Sequence, residues 1–315
     1  MDTKDEKKSK ELKTILIYGV SSFVGSNLAE YLKKDYRVVG TYCKNSVNIP
    51  GVLTLPCDVL SKDRVSLVAY IAKPDLVIYA VGLSSIIDCG QDNALADALN
   101  ASGLYNVSET AQRYKAQLCY ISSSFVFGGE DRNYIEMDIP DSNSIYGKTK
   151  ASAEFLVQKS SLNYIIFRCC QLYGRGINPK QYTWFENFQR KIARNDILNM
   201  DNVVRVGFMD VYLFAGLLKY CFENQVSNRL LQVSSSNIMT HYDFANHYRE
   251  VFKEKSSMIN KSKWFFPAVS SPGTTANAAN LNYKMDVANI EGHLNIKMPT
   301  VQDSLEFSYS RFFGN

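Results

Sequence analysis

Histidine is scarce in this chain, which has only His241, His247 and His293 among its 315 residues. So few histidines argue against a histidine-based zinc centre or a Ser-His-Asp triad, and we expect no metal site. The seven cysteines include no Cys-x-x-Cys pair. Several of them stand in apolar, strand-like runs, which is typical of buried free thiols in a reducing, cytoplasmic compartment.

Long apolar runs and a strong charge of one sign are also missing. No stretch approaches the ~18 consecutive apolar residues of a membrane-spanning helix, and the N-terminus lacks the apolar core of a signal peptide. Lysine and arginine total 35, against 31 for aspartate and glutamate. That excess is too small to indicate a nucleic-acid groove. We therefore expect no membrane or nucleic-acid partner, and we predict that residues 1–13 form a charged, mobile tail.

The chain does have a regular alternation of strand and helix signals. Apolar runs predict strands at 14–18, 36–42, 52–55, 75–81, 117–122 and 163–168. Segments with helical spacing lie between them, at 26–34, 63–72, 93–114 and 144–159. This alternation is typical of an α/β fold with a Rossmann-type, doubly wound parallel sheet.

The rhythm changes after residue 174, which indicates two parts of the chain. We predict a first domain at 14–174 and a smaller, mixed lobe at 175–315. An apolar helix and strand in the second part predict that segments near 205–235 return to the first domain. Residues 256–280 are rich in Ser, Asn, Ala, Pro and Gly, and they predict loops.

A glycine turn joins the first predicted strand to the first helix. Gly19-Val-Ser-Ser22-Phe-Val-Gly25 has the layout G-x-x-S-x-x-G. Such a turn lets backbone approach the pyrophosphate of a dinucleotide and aims a helix N-terminus at it, although an ordinary strand-to-helix turn is the competing interpretation. Ser22 stands where a glycine lets phosphate come closest, so it could tolerate the ligand, donate a hydroxyl to it or weaken its binding. Cofactor contacts are predicted from Gly19, Ser22, Phe23, Val24 and Gly25.

The end of the second strand indicates which dinucleotide would bind. An Asp or Glu there would bind the ribose 2′-hydroxyl of NAD, but the strand ends Thr41-Tyr-Cys-Lys44 without an acid. Lys44 could pair with a 2′-phosphate and Thr41 could hydrogen-bond to it, which favours NADP(H) and leaves NAD(H) open. A plain surface lysine is the competing interpretation. Further cofactor contacts are predicted after the next two strands, from Asp58, Val59, Ala80, Val81 and Gly82.

Tyr146 and Lys150 stand four residues apart on a predicted helix, so they share one face. A phenol has a reference pKa of about 10, and a nearby ammonium lowers it by favouring the phenolate. The pair suits general acid/base work on an alcohol or a carbonyl. By spacing alone, a surface helix with an ordinary Tyr and Lys is the simpler interpretation.

Taken together, these features resemble the extended short-chain dehydrogenase/reductase family. The matching elements, in order, are the glycine turn, Asn100, the serines at 122–124 and Tyr146-x-x-x-Lys150. The strings Ser-Ser-Ser-Phe-Val-Phe-Gly-Gly and Tyr-Gly-Lys-Thr-Lys are most similar to the dTDP-4-dehydrorhamnose reductase-like branch. The resemblance implies an NAD(P)-dependent oxidoreductase with a nucleotide-sugar substrate and, by analogy with relatives, a homodimer.

The resemblance also implies roles for individual residues. Ser123 would hydrogen-bond to the substrate oxygen, although three serines in a row leave a neighbour as the alternative. Tyr146 would donate a proton to a carbonyl being reduced, or remove one from an alcohol. Lys150 would lower the pKa of Tyr146 and hold the nicotinamide ribose, and Asn100 would support the lysine. Substrate contacts are expected from Ser123, Ser124, Tyr146, Arg175 and Asn178.

Two departures from the family pattern keep several hypotheses open. Ser22 replaces a glycine, and Ser124 stands where the reductase branch has an aspartate. A 4,6-dehydratase needs an Asp-Glu pair after its catalytic Ser or Thr, and Ser124-Phe125 does not supply it. The leading hypothesis is an NADP(H)-dependent reductase of a nucleotide-linked keto-sugar. A sugar-nucleotide epimerase that retains NAD and a non-catalytic, NADP-binding regulatory subunit are the alternatives.

Overall fold

The computed structural model describes residues 12–160, 163–177, 182–254, 258–263 and 281–314. Asn178, nearly all of the tail predicted at 1–13 and most of the loops predicted at 256–280 lie outside the described residues.

Strands and helices alternate through the first half of the chain and then become shorter and less regular. The strands are β1 (Thr14–Tyr18), β2 (Arg37–Tyr42), β3 (Leu53–Pro56), β4 (Leu76–Tyr79), β5 (Gln117–Ser123), β6 (Asn133–Tyr134), β7 (Tyr164–Cys169), β8 (Gln171–Tyr173), β9 (Leu198–Asp201), β10 (Val204–Val206), β11 (Phe208–Asp210), β12 (Arg229–Val233), β13 (Ile259–Ser262) and β14 (Leu281–Met285). The α-helices are α1 (Phe23–Leu32), α2 (Lys62–Ala72), α3 (Ile86–Gln91), α4 (Asn93–Asp97), α5 (Gly103–Arg113), α6 (Ile145–Ser160), α7 (Trp184–Ala193), α8 (Val211–Glu223), α9 (His241–Phe252), α10 (Ala288–Leu294) and α11 (Val301–Phe313). A π-helical segment occupies Ala98–Ser102, and a 3₁₀ turn occupies Ser124–Val126.

Seven of the described strands form one parallel sheet in the order β12-β7-β5-β4-β1-β2-β3. Helices cover both of its faces, so the predicted Rossmann-type doubly wound sheet is confirmed. The carboxyl ends of β1, β4 and β5 meet at one edge of the sheet. Folds of this kind bind their ligands at that edge, where the strand order reverses.

The central strand β1 is buried along its whole length, because its alternate side chains enter two different apolar layers. Ile15 and Ile17 pack in one layer with residues of α1 and α8. Leu16 and Tyr18 pack in the other layer with residues of α2, α5 and α6. Burial on both faces holds the glycine turn that follows β1 in a fixed place.

The later part of the chain is interleaved with the first. β12 pairs with β7 at the edge of the main sheet, and α8 packs against α1. Three small parallel groups make up the remaining described strands, namely β10-β14-β6, β11-β8 and β13-β9. β6 and β8 precede residue 174, so the two parts of the chain share the first two of these small sheets, whereas β13-β9 belongs to the later part alone. Within the described ranges, each helix is too short or too polar to cross a membrane.

The structure corrects two of the predicted elements and adds a helix beside the site. The single helix predicted at 93–114 is α4, a π-helical segment and α5, because one extra residue per turn is inserted around Asn100. Such π insertions occur mostly inside α-helices at functional sites. The loop predicted at 256–280 contains β13, which pairs with β9. The short helix α3 was not predicted.

Candidate active site

The glycine turn is shaped so that two of its positions admit no side chain. Gly19 has φ of +86°, and a Cβ there would lie 2.6 Å from the carbonyl oxygen of Ala80. A Cβ on Gly25 would collide with the carbonyl oxygen of Gly19. Both positions therefore require glycine. The backbone after β1 therefore lies directly against the start of α1 and against the residue that follows β4. A dinucleotide-binding turn requires such close backbone contacts.

Ser22 is the N-cap of α1. Its Oγ accepts a hydrogen bond of 3.0 Å from the amide of Gly25, one of the first-turn amides that have no partner within a helix. The serine in place of a glycine thus has a structural task in the turn. Phe23 and Val24 are partly buried against the apolar layer beside α1.

The residues predicted to read the ribose differ in their exposure. Lys44 is exposed beyond the end of β2. Thr41 is only 1% exposed, and its carbonyl oxygen accepts bonds from the amides of Gly19 and Val20 at 3.1 and 2.8 Å. Thr41 therefore stabilises the glycine turn through its backbone carbonyl. Its buried hydroxyl is poorly accessible to a phosphate.

The two residues predicted to border the adenine also differ. Asp58 is half-buried, and its Oδ1 accepts a bond of 3.0 Å from the amide of Leu60. Val59 is buried, and a Cβ on Gly103 would lie 2.6 Å from one of its methyl groups. Val59 therefore packs against α5, and Asp58 keeps part of its surface at this edge.

Asn100 is fully buried in the π-helical segment and forms a hydrogen bond with α6. Its Nδ2 donates to Oγ1 of Thr149 at 2.9 Å, and that oxygen donates to the carbonyl of Tyr146 at 3.0 Å. A Cβ on Gly82, which has φ of +144°, would collide with Asn100 Oδ1. This Oδ1 has no hydrogen-bond partner among the described residues. A buried acceptor thus lies beside Gly82, where Ala80 and Val81 are half-exposed.

Ser123, Tyr146 and Lys150 come together at the carboxyl end of β5. The side chain of Ser123 lies beside the phenol of Tyr146 and lowers its pKa. Nζ of Lys150 donates to the carbonyl of Ile121 at 3.0 Å and lies 5.9 Å from the centroid of the Tyr146 ring. The three side chains are only 7–9% exposed, so a proton on the phenol is shielded from bulk water.

Burial dominates the acid–base properties of this group. It raises the pKa of Tyr146 to about 12, against a smaller lowering by Ser123. It lowers the pKa of Lys150 to about 8. The expected lowering of the tyrosine pKa by Lys150 is not found: the one lowering effect comes from Ser123, and desolvation of the phenolate is the largest effect. Tyr146 consequently keeps its proton at neutral pH.

The structure separates the three serines that the sequence leaves equivalent. Ser123 lies beside Tyr146 and lowers the pKa of its phenol. The hydroxyl of Ser122 donates to Glu154 Oε1 at 2.5 Å. Ser124 is 1% exposed, and its Oγ has no hydrogen-bond partner among the described residues. Ser123 is therefore the serine placed to act with the tyrosine.

Sequence reasoning missed the part that α3 plays in this site. Its Cys89 is fully buried and packs in one apolar cluster with Ala96 and Tyr146. Ser85 caps α3, since its Oγ accepts a bond of 3.2 Å from the amide of Asp88. The Ser-x-x-Asp spacing is a helix-start signal that could have found α3.

Arg175 and Asn178 were predicted to contact the substrate. The guanidinium of Arg175 lies 4.0 Å from the centroid of the Phe312 ring, and its Nε donates to Gln189 Oε1 at 3.4 Å. Its carbonyl accepts a bond of 3.0 Å from Asn27 on α1. These contacts fix Arg175 between α1, α7 and α11. Asn178 lies outside the described residues.

Comparison with known proteins identifies the family of this chain. A family model described as the RmlD substrate binding domain matches residues 13–312. The chain belongs to this family. The resemblance to the dTDP-4-dehydrorhamnose reductase-like branch of extended short-chain dehydrogenases/reductases is therefore confirmed.

Several curated relatives match this chain only in part. The dTDP-4-dehydrorhamnose reductase of Aggregatibacter actinomycetemcomitans is 27% identical over 188 residues, 59% of this chain and 59% of that protein. The methionine adenosyltransferase 2 subunit beta of Rattus norvegicus is 34% identical over 107 residues, 34% of this chain and 32% of that protein. The chain spans little more than half the length of the first curated relatives it matches.

One solved structure shows that the RmlD-type fold extends over almost the whole chain. The dTDP-4-dehydrorhamnose reductase from Bacillus anthracis, in complex with NADP, superposes with a TM-score of 0.81 at 18% identity. The match covers 95% of this chain and 99% of that one. At this identity the likeness establishes the fold alone.

Proposed function

We propose that the chain is an NADP(H)-dependent reductase of a nucleotide-linked keto-sugar, in which Tyr146 donates the proton to the carbonyl oxygen. The observation that carries the proposal is the grouping of Ser123, Tyr146 and Lys150, all of them buried, at the carboxyl end of β5. This group stands at the sheet edge next to a turn that admits only glycine at two positions. Membership of the RmlD family supports the same activity.

The protonation states suit reduction of a carbonyl. A phenol with a pKa of about 12 is a proton donor at neutral pH, and a positioned donor near a developing alkoxide lowers the barrier to its formation. Ser123 orients that phenol. Lys150, with a pKa of about 8, is mostly protonated at pH 7 and can restore the proton that Tyr146 gives up. The nicotinamide would supply the hydride, which no side chain can provide.

The chain's own residues fit a dinucleotide. Gly19, Gly25 and the start of α1 would hold the pyrophosphate, and Ser22 would keep its capping bond to the helix. The Oδ1 of Asn100 beside Gly82, which no described residue satisfies, is a buried acceptor that a bound molecule or water can satisfy. The NADP in the Bacillus anthracis reductase supports this choice of cofactor.

Substitution of Lys44 tests the choice between NADP(H) and NAD(H). We expect Lys44→Ala to weaken NADPH binding about tenfold, because a charge-assisted bond to the 2′-phosphate is lost. NADH has no such phosphate and should bind as before. Nicotinamide fluorescence measures both affinities, and Lys34→Ala removes another exposed lysine as the control. An equal loss for NADPH and NADH would contradict the role of Lys44.

Substitution of Tyr146 tests the proton donor. We expect Tyr146→Phe to lower the rate of NADPH oxidation about 10²–10⁴-fold across a panel of nucleotide-linked keto-sugars, because the general acid is removed. NADPH binding should survive, since the ring remains. Tyr120→Phe is the matched control: Lys150 Nζ lies 5.1 Å from the Tyr120 ring centroid, and the Tyr120 hydroxyl is buried without a partner among the described residues. Full turnover in Tyr146→Phe, or an equal loss in Tyr120→Phe, would refute the assignment.

A non-catalytic, NADP-binding regulatory subunit is the second candidate. It is favoured by the 34% identity with methionine adenosyltransferase 2 subunit beta over 107 residues. The aspartate expected at position 124 is also absent, and the serine there is buried. A lack of turnover on every keto-sugar in the panel, together with NADPH binding and co-purification of a partner enzyme, would support this candidate over the reductase.

A further inference from the structure

A buried ionic cluster lies under the helix that carries Tyr146 and Lys150. Ser122 on β5 and Arg168 on β7 are register partners in the main sheet, and both side chains meet Glu154 on α6. Exposure of these three residues is 3–4%. Glu154 accepts bonds from Ser122 Oγ at 2.5 Å and from Arg168 Nη2 at 2.7 Å. Nε of Arg168 adds contacts of 3.0 and 3.1 Å to the two carboxylate oxygens.

The cluster belongs to a regular series of contacts between one strand end and one helix. Tyr146, Lys150 and Glu154 follow each other at intervals of four residues on α6, so they lie on one face. Their partners are consecutive residues of β5. Tyr146 lies beside the side chain of Ser123, Lys150 donates to the carbonyl of Ile121, and Glu154 accepts a bond from the side chain of Ser122. Movement of the strand end against the helix would therefore disturb all three contacts together.

From this arrangement we infer that Glu154 is a positioning residue: through Ser122 it fixes residues 121–123 of β5 against α6 and so sets the Ser123–Tyr146 and Ile121–Lys150 contacts. Arg168 holds the carboxylate in the required orientation by its paired bonds. A buried ion pair adds little net stability compared with a well-packed apolar pair, so its value here lies in the geometry it imposes. The inference rests on the proposed function only for the role of Tyr146.

The surroundings of Lys150 provide a readout that does not depend on turnover. Burial lowers its pKa to about 8, and the groups that oppose this effect are Cys169 on β7, Cys89 on α3 and Glu154 on its own helix. The ring of Tyr120 also lies against it. If the strand end loosens, water reaches the ammonium and its pKa rises toward the ordinary value of 10.5.

Ser122→Ala tests the inference, because it removes the link to the strand and leaves the Glu154–Arg168 pair in place. Lysine-selective ¹³C NMR titration would follow Lys150, whose signal is identified by its loss in Lys150→Met. We expect the Lys150 pKa to rise by about 0.5 or more in Ser122→Ala. Ser122→Thr, which keeps the hydroxyl, should return it toward the wild-type value.

Ser308→Ala is the matched control. Ser308 Oγ donates to the buried Asp210 at 2.5 Å, and Arg311 Nη2 pairs with the same carboxylate at 2.7 Å. The bonds have the same lengths, but this cluster does not hold the strand end of β5. We expect Ser308→Ala to leave the Lys150 pKa unchanged. An unchanged pKa in Ser122→Ala, or an equal rise in both variants, would overturn the inference.

Turnover separates this inference from the proposed function. If Tyr146 is the proton donor, Ser122→Ala should lower kcat about tenfold with little change in KM, because misplacement of a catalytic group costs rate more than binding. If no keto-sugar is reduced even by the wild-type chain, the proposed function fails while the NMR titration still decides the role of Glu154.

Discussion

Two buried carboxylates, Glu154 and Asp210, have nearly identical partners and different neighbours. Each accepts a serine hydroxyl at 2.5 Å and an arginine Nη2 at 2.7 Å. The serine that bonds to Glu154 is Ser122. Its neighbours in β5 are Ile121, which contacts Lys150, and Ser123, which contacts Tyr146. Asp210 is instead the N-cap of α8, through a bond of 2.8 Å from the amide of Tyr212.

This difference shows that the role of a buried ion pair follows from the segments it joins. Ser308 belongs to α11, and the hydroxyl of Tyr173 on β8 joins the same network through Ser304 and Ser308. The Asp210 cluster thus ties β8 to β11, α8 and α11. The Glu154 cluster joins β5, β7 and α6, and two of these elements, β5 and α6, carry Ser123, Tyr146 and Lys150.

Removal of the arginine from each cluster gives the largest expected effect on stability. We expect Arg168→Met to lower the free energy of unfolding by about 3–5 kcal/mol, because it leaves Glu154 buried without its countercharge. Arg311→Met should cost about 1–2 kcal/mol, because Arg311 is 21% exposed and Asp210 keeps its bonds from Tyr212 and Ser308. Urea denaturation at pH 7 measures both losses.

Equal losses of stability in the two arginine variants would contradict the claim that Glu154 depends more on its arginine than Asp210 does. Equal losses would mean that the partial exposure of Arg311 and the additional donors to Asp210 do not compensate for the missing charge. The m-value serves as the check, since an unchanged m-value shows that the difference lies in stability and that the extent of unfolding is the same.

The sequence predicts the main sheet and the Tyr146–Lys150 pair because both depend on local periodicity. Strand runs with two buried faces are apolar throughout, as in β1, and a spacing of four residues on a helix places Tyr146 and Lys150 together. The glycine turn is equally readable, since the contacts at Gly19 and Gly25 exclude any side chain.

Other features of the site depend on contacts between distant segments, so local patterns do not reveal them. Three consecutive serines look alike in sequence, and only the strand's alternation separates Ser122, which faces Glu154, from Ser123, which faces Tyr146. Asn100 reaches Thr149 through a π insertion that has no simple sequence signal. The raised pKa of Tyr146 follows from burial by α3 and neighbouring segments, whereas the spacing with Lys150 suggested the opposite direction.

A smaller effect on stability is expected from Lys150. Its buried ammonium lies close to Glu154 and further distinguishes the Glu154 cluster from the Asp210 cluster. The folded-state pKa of Lys150 is about 8, below its ordinary value of 10.5, so the charged form opposes folding. Its full penalty is present below pH 8, decreases as the pH rises, and is absent above about 10.5. We expect Lys150→Met to be more stable than wild type by about 1–3 kcal/mol at pH 7.

The pH dependence of that gain decides whether desolvation of the ammonium is its cause. Urea denaturation of Lys150→Met and wild type should give free energies of unfolding that converge between pH 8 and 10.5, as the folded wild type loses its buried charge. Lys219→Met provides the control, because Lys219 pairs with Asp35 at the surface and its loss should bring no gain at any pH. A gain in Lys150→Met that stayed constant with pH would point to better apolar packing and would argue against a strained, buried ammonium beside Tyr146.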